Sequence, residues 1–230
     1  MRYVEKPFGD TCKPGICVYC GGVPGDRDHV PSLVLLDQPF PEHLPWVPSC
    51  KKCNNDFSKD EPYLACLLEC IICGTTDPQR LRRKRVVNVF AGNPGLRRNI
   101  EDEREGDLNW RPDHDKVEKI VMKLARGHAA FELYPMLVPP AEIRFMPLCA
   151  LTDQERSSFE HAQSSEQDLL PEVGSRSLMR RVEGNPDSHG YGNNWIVVQP
   201  NRYRYSVIDS DGVLVRIVLS EYLACEVRWD

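Results

Sequence analysis

No run of about 18 apolar residues occurs anywhere in the chain, so no segment has the length and hydropathy to span a bilayer as a helix. The opening MRYVEKPFGD is charged and lacks the apolar centre of a secretory leader. Internal repeats, low-complexity tracts and a Gly-rich phosphate loop are missing as well, which removes solenoid arrays and nucleotide-cradling loops from consideration. Excess positive charge is also missing: 29 Lys and Arg stand against 34 Asp and Glu, a formal net charge of -5. Non-specific affinity for a duplex comes mainly from Lys and Arg on phosphates, so a nucleic-acid role must rest on how the charge is distributed. What remains is a chain of 230 residues, 41% hydrophobic, long enough for one large core or two small ones.

The ten cysteines are the first positive feature. Four fall in two Cys-x-x-Cys knuckles, Cys17/Cys20 and Cys50/Cys53. Each such turn holds two thiolates about one metal diameter apart, and two turns complete the tetrahedral S4 set that zinc prefers. An ion saturated by four thiolates has no open position for water, so this zinc is structural. Cys12, five residues before the first knuckle, is the one rival ligand. Cys66, Cys70 and Cys73 recur at helical spacing and read as small buried hydrophobes. Zinc-type spacing with scattered remaining thiols points to a reducing cytoplasm rather than a disulfide framework.

Between and just after the knuckles lie harder groups: Asp28, His29, His43, Asn54, Asn55 and Asp56. Carboxylate and amide oxygens suit a hard ion such as Mg2+ or Mn2+, and a neutral imidazole beside them can take a proton from water. Such a set can hydrolyse a phosphodiester. Asn54 and Asn55 are also both possible helix caps. Lys59 reads either as a phosphate contact or as part of the capping box Ser58-x-x-Glu61.

Across roughly residues 3–68 the pattern DHVPS, VPSC, CKKCN and SKDE resembles the HNH nucleases, in particular compact bacterial four-cysteine members with the ββα-metal fold. The resemblance implies that His29 is the general base, Asp28 a ligand of a catalytic Mg2+ or Mn2+, and Asn54 the second ligand at the start of a helix. The middle Asn of the family falls on His43, which would brace the base-bearing loop or add a metal ligand. It further implies hydrolysis of DNA to a 5′ phosphate and a 3′ hydroxyl, often beside a partner protein that recognises the target. RNA cleavage through the same site, and a zinc-stabilised adaptor with a degenerate site, are the alternatives.

Charge distribution bears on the DNA expectation. Residues 80–100 carry Arg80, Arg82, Arg83, Lys84, Arg85, Arg97 and Arg98 with no acid, while acids gather in 101–107 and 155–172. Next to a nuclease-like motif, this run is the expected DNA contact.

The expected architecture is α+β: a zinc-stapled HNH domain over residues 1–76, then a helical region and a C-terminal antiparallel sheet over 77–230. Two short strands end near His29 and cover 44–47, with one helix from Lys51 and another over 59–73. A basic helix opens at Asp77-Pro78 and runs to Phe90, followed by a turn at Asn93-Pro94-Gly95. Asp115 caps an amphipathic helix with Val117, Ile120, Val121, Leu124, His128 and Phe131 inward, and Lys116, Lys119, Lys123 and Arg126 nearer the other side. Residues 136–147 are proline-broken and partly extended, and the polar stretch 152–194 reads as loops. Strands over 195–199, 202–208, 213–219 and 222–229 complete the chain, with a hairpin turn at 209–212. Asn201 to Tyr205, NRYRY, either grips DNA or covers a sheet.

Overall fold

Strand β1 (Asp26–His29) pairs antiparallel with β2 (Trp46–Ser49), Asp26 opposite Ser49 and His29 opposite Trp46. In this computed structural model, which describes residues 15–42, 44–106, 109–161, 195–210 and 212–230, the hairpin leads directly into helix α1 (Lys51–Cys73). The Cys50 sulfur caps that helix by accepting the Cys53 N–H, and Gly74 ends it in the left-handed region at φ 65°.

The two helices expected over 51–73 are thus one. Pro62 lies inside it, where a missing N–H ordinarily breaks a helix. Packing overrides this, because the following turns, Tyr63 to Cys70, are all buried. The expected capping box does not form: Ser58 donates to the Asn55 carbonyl, and Lys59 pairs with Asp56. Glu61 turns instead toward Ser32 and Lys123.

Helix α2 (Lys84–Gly92) begins later than expected, because residues 78–80 form a turn on Asp77 and the buried Glu69 carboxylate accepts the N–H groups of Arg82 and Arg83. The expected turn at Asn93 is a helix start: its side chain accepts the Leu96 N–H and Pro94 occupies the first position of α3 (Pro94–Asp102). A two-residue hairpin, β3 (Arg104–Glu105) with β4 (Asn109–Trp110), leads to α4 (His114–Glu132), capped by Asp113 rather than Asp115.

The remaining strands form one antiparallel sheet in the order β5-β9-β8-β7-β6: β5 (Glu142–Pro147), β6 (Ile196–Gln199), β7 (Tyr203–Ser210), β8 (Gly212–Leu219) and β9 (Leu223–Trp229). Helix α5 (Asp153–Glu160) opens on a capping box between Thr152 and Glu155, inside the stretch expected to be loop; the rest of that stretch, 162–194, lies outside the described residues.

One face of the sheet packs on α4, where His128 donates to or accepts from the Tyr203 hydroxyl and stacks on Tyr205 at 3.7 Å. His128 is therefore a core histidine. On the other face Arg204, 1% exposed, pairs with Glu160 and Glu221 over the Trp195 ring. NRYRY therefore covers a sheet on both sides and its centre is closed to DNA. One apolar cluster runs from Leu35 through α1, α2, α3 and α4 to Trp229, so packing does not break at residue 76. A smaller cluster of Cys17, Val18, Tyr19, Val30 and Val47 lies under the hairpin. No helix among the described residues is long and apolar enough to cross a membrane.

Candidate metal centre and hairpin site

The first knuckle folds because the Cys17 N–H donates to the Gly22 carbonyl and the Gly21 N–H to that of Cys17, while the Val18 N–H reaches the Pro48 carbonyl on β2. The second knuckle is the first turn of α1. Together they bring the sulfurs of Cys17, Cys20, Cys50 and Cys53 within 4.8 Å of one another, with Cys20 and Cys50 3.8 Å apart. Tetrahedral zinc with Zn–S bonds of about 2.3 Å requires sulfurs about 3.8 Å apart, so donor set and size both fit a structural ion. The Cys53 N–H lowers the Cys50 thiol to about 7, which favours the thiolate a metal needs; burial raises Cys53. Among the described residues no other group of three or more His, Cys, Asp or Glu gathers in this way, which fits the core reading of Cys66 and Cys70. Cys12 lies outside the described residues.

Strand alternation divides the hairpin into two faces. Asp26, Asp28, Val47 and Ser49 point toward α1 and α4, and Arg27, His29, Trp46 and Pro48 lie on the other side. On the open face the Arg27 guanidinium sits 4.2 Å from the Trp46 ring centroid, beside a shallow groove lined by Pro24, Gly25, Asp26, Arg27, Trp46 and Pro48. His29 Nδ1 lies 3.4 Å from the Pro45 carbonyl, a long contact.

The inward face differs from the expected ligand pair. Asp28, 6% exposed, accepts from the Tyr19 hydroxyl at 2.6 Å and from Lys123 Nζ at 3.0 Å (Oδ1) and 2.9 Å (Oδ2). Tyr19 belongs to the first knuckle, so the cysteine knuckle itself orients Asp28. Its own hydroxyl is held protonated well above the usual range by burial and by the Asp28 charge. Asn54 donates instead to Asp26 Oδ2 at 2.7 Å. Donation from Asn54 and from the Arg27 N–H holds the Asp26 carboxyl below its usual value. Asp28 and Asn54 are therefore not presented as a common pair to one ion; the oxygen donor beside Asn54 belongs to Asp26. His43 lies outside the described residues, so neither of its expected roles has a geometry.

Of the seven basic residues expected on DNA, Arg80, Arg82, Lys84, Arg97 and Arg98 are exposed. Arg83 is not available: 5% exposed, it pairs with Asp37 at 2.7 Å and donates to the Val34 and Leu36 carbonyls. Arg85 is half-buried beside Phe40, its guanidinium lowered by desolvation. On α4 the expected outward cations are engaged at home: Lys116 with Asp113, Lys119 with Asp60, Arg126 with the Tyr19 and Val138 carbonyls, and Lys123, fully buried, with Asp28.

Sequence reasoning missed Asp26, Tyr19 and Lys123. Asp26 was visible, since DRDH places both carboxylates on one strand face. Lys123 was masked by ranking lysines as outward, although Ile120, Lys123 and Gly127 stand at helical spacing on one stripe. Comparisons of the chain with family models, with curated proteins and with solved structures find no match.

Proposed function

We propose that this chain is a DNA endonuclease of the HNH type, stapled by a structural zinc. The observation that carries the reading is the four-sulfur cluster, which ties the knuckle preceding the strand that bears His29 to the first turn of the helix that bears Asn54. The order of knuckle, Asp-His, knuckle and Asn supports the same reading, as does the strand, strand, helix succession. In this reading His29, oriented through Nδ1 by the Pro45 carbonyl, takes a proton from water at Nε2, and the hydroxide attacks the phosphorus in line. Arg27, exposed on the same hairpin face, holds a phosphate oxygen, and the exposed arginines of the 80–98 region hold the flanking backbone. Asp26 and Asn54 are the oxygen donors that would hold a Mg2+ or Mn2+; when bound, such an ion supplies charge stabilisation to the phosphorane and the leaving 3′ oxygen.

One observation favours a second reading. Asp28, the ligand that the resemblance assigns, is neutralised by Lys123, as expected of a nucleic-acid-binding adaptor that has lost cleavage. Plasmid nicking by the purified protein in Mg2+, Mn2+ or EDTA separates the two, and parallel RNA digests identify the substrate. Cutting that requires the added ion supports the nuclease; binding without cutting in any metal supports the adaptor.

A further inference from the structure

Lys123 reaches the hairpin from α4, 95 residues after Asp28 in sequence, and its ammonium is 0% exposed. Four oxygens from three segments surround it: Asp28 Oδ1 and Oδ2 at 3.0 and 2.9 Å on β1, Ser32 Oγ at 2.6 Å just after it, and Glu61 Oε1 at 2.6 Å on α1. The cage is itself fixed, because Ser32 donates to Glu61 at 2.7 Å and Tyr19 to Asp28 at 2.6 Å. Two carboxylates facing one ammonium leave a net negative charge in a site where Lys123, Asp28 and Ser32 are buried and Glu61 is partly so. Such a site is complementary to a cation carrying more than one charge. Ammonium-to-oxygen distances of 2.6–3.0 Å lie nearer the oxygen shell of Ca2+, about 2.3–2.6 Å, than that of Mg2+, about 2.0–2.1 Å.

We propose that the oxygens of Asp28, Ser32 and Glu61 form a cation site whose resident ion is the chain's own Lys123 ammonium, so that a divalent ion reaches Asp28 only where that ammonium is removed. The lysine takes the place at Asp28 that a metal holds in the resemblance, and the exchangeable ion is left to Asp26 and Asn54. The cage stands on its own contacts, whether or not the chain cuts DNA.

Isothermal titration of the zinc-loaded full chain with Ca2+ tests this. Lys123→Ala is expected to bind one more Ca2+ per chain than the parent, more tightly than Mg2+, and the added site is expected to vanish in Lys123→Ala combined with Glu61→Gln. Lys123→Met, whose side chain refills the space without charge, is expected to gain no ion. If Lys123→Ala does not fold in metal-free buffer, Ca2+ should restore its cooperative melting. An unchanged ion count, a gained site that survives Glu61→Gln, or a misfolded variant that Ca2+ leaves unfolded overturns the proposal. Because the readout is ion binding, a failed nicking assay leaves the outcome intact.

Discussion

Gly127 on α4 is buried against the hairpin, and replacing it by Ala is expected to destabilise the fold even though Ala is the better helix former. A Cβ at this position would lie 2.6 and 2.9 Å from the two methyls of Val30 and 3.4 Å from the Tyr19 hydroxyl. Carbon atoms in ordinary contact sit about 3.5–4.0 Å apart, so the helix or Val30 must move by about 1 Å. Val30 is fully buried and its β-branched χ1 is stiff, which leaves little room for adjustment. Overpacking of this kind costs about 1–3 kcal/mol, and the helix propensity gained from Gly to Ala offsets about 1 kcal/mol. The net loss is up to about 2 kcal/mol, a fall in Tm of up to roughly 8 °C for a chain of this size. Val30→Ala alone opens a cavity and costs roughly 2 kcal/mol. Combined with Gly127→Ala it removes the clash, so the double variant should lose less than the sum of the singles by about 1 kcal/mol. Urea and thermal unfolding of the four proteins measure the cycle. A more stable Gly127→Ala, or strict additivity, refutes the close approach of α4 to the hairpin.

Cys53→Ser, or stripping the metal with a chelator, should release zinc and deprotect the amides of residues 15–30 and 46–49 in hydrogen exchange, while α4 and the C-terminal sheet stay protected, because the small cluster under the hairpin is separate from the main one. Loss of zinc with unchanged exchange there would count against a structural role. Asp113→Ala should cost about 1 kcal/mol by removing the α4 cap. The Asp113 carboxyl is lowered below 3.8 by Lys116, so its contribution is complete above that value and fades as pH falls through the folded value. The gap between parent and variant in urea midpoints should therefore be flat above about pH 5 and close in acid; a gap that widens in acid would refute the assignment. Neutralising Arg97 or Arg98 should weaken DNA binding and lower the salt slope by roughly one per contact. Arg83→Met should instead lower Tm, and a change confined to binding would contradict its burial.

The knuckles, the hairpin that follows each strand prediction, and the four C-terminal strands were readable because spacing, alternation and turn residues are local. The continuity of α1 through Pro62 was not, since burial of Tyr63 to Cys70 outweighs a local breaker. Nor were the buried cations. Arg83, Lys123 and Arg204 each look like surface charge until Asp37, Asp28 and Glu160 arrive from 46, 95 and 44 residues away. The candidate site divided along the same line: the sulfur cluster followed from two spacings, whereas the partners of Asp28 and Asn54 were set by which strand face met α1 and α4.

The most direct test of the nuclease reading is supercoiled-plasmid cleavage by the zinc-loaded protein and its His29→Ala variant in Mg2+ or Mn2+. The parent should nick or linearise the plasmid only with the added ion, and His29→Ala should not cut while retaining its zinc and its melting curve. Cutting by His29→Ala at the parent rate, or a parent that binds DNA and leaves it intact in both metals, would contradict it.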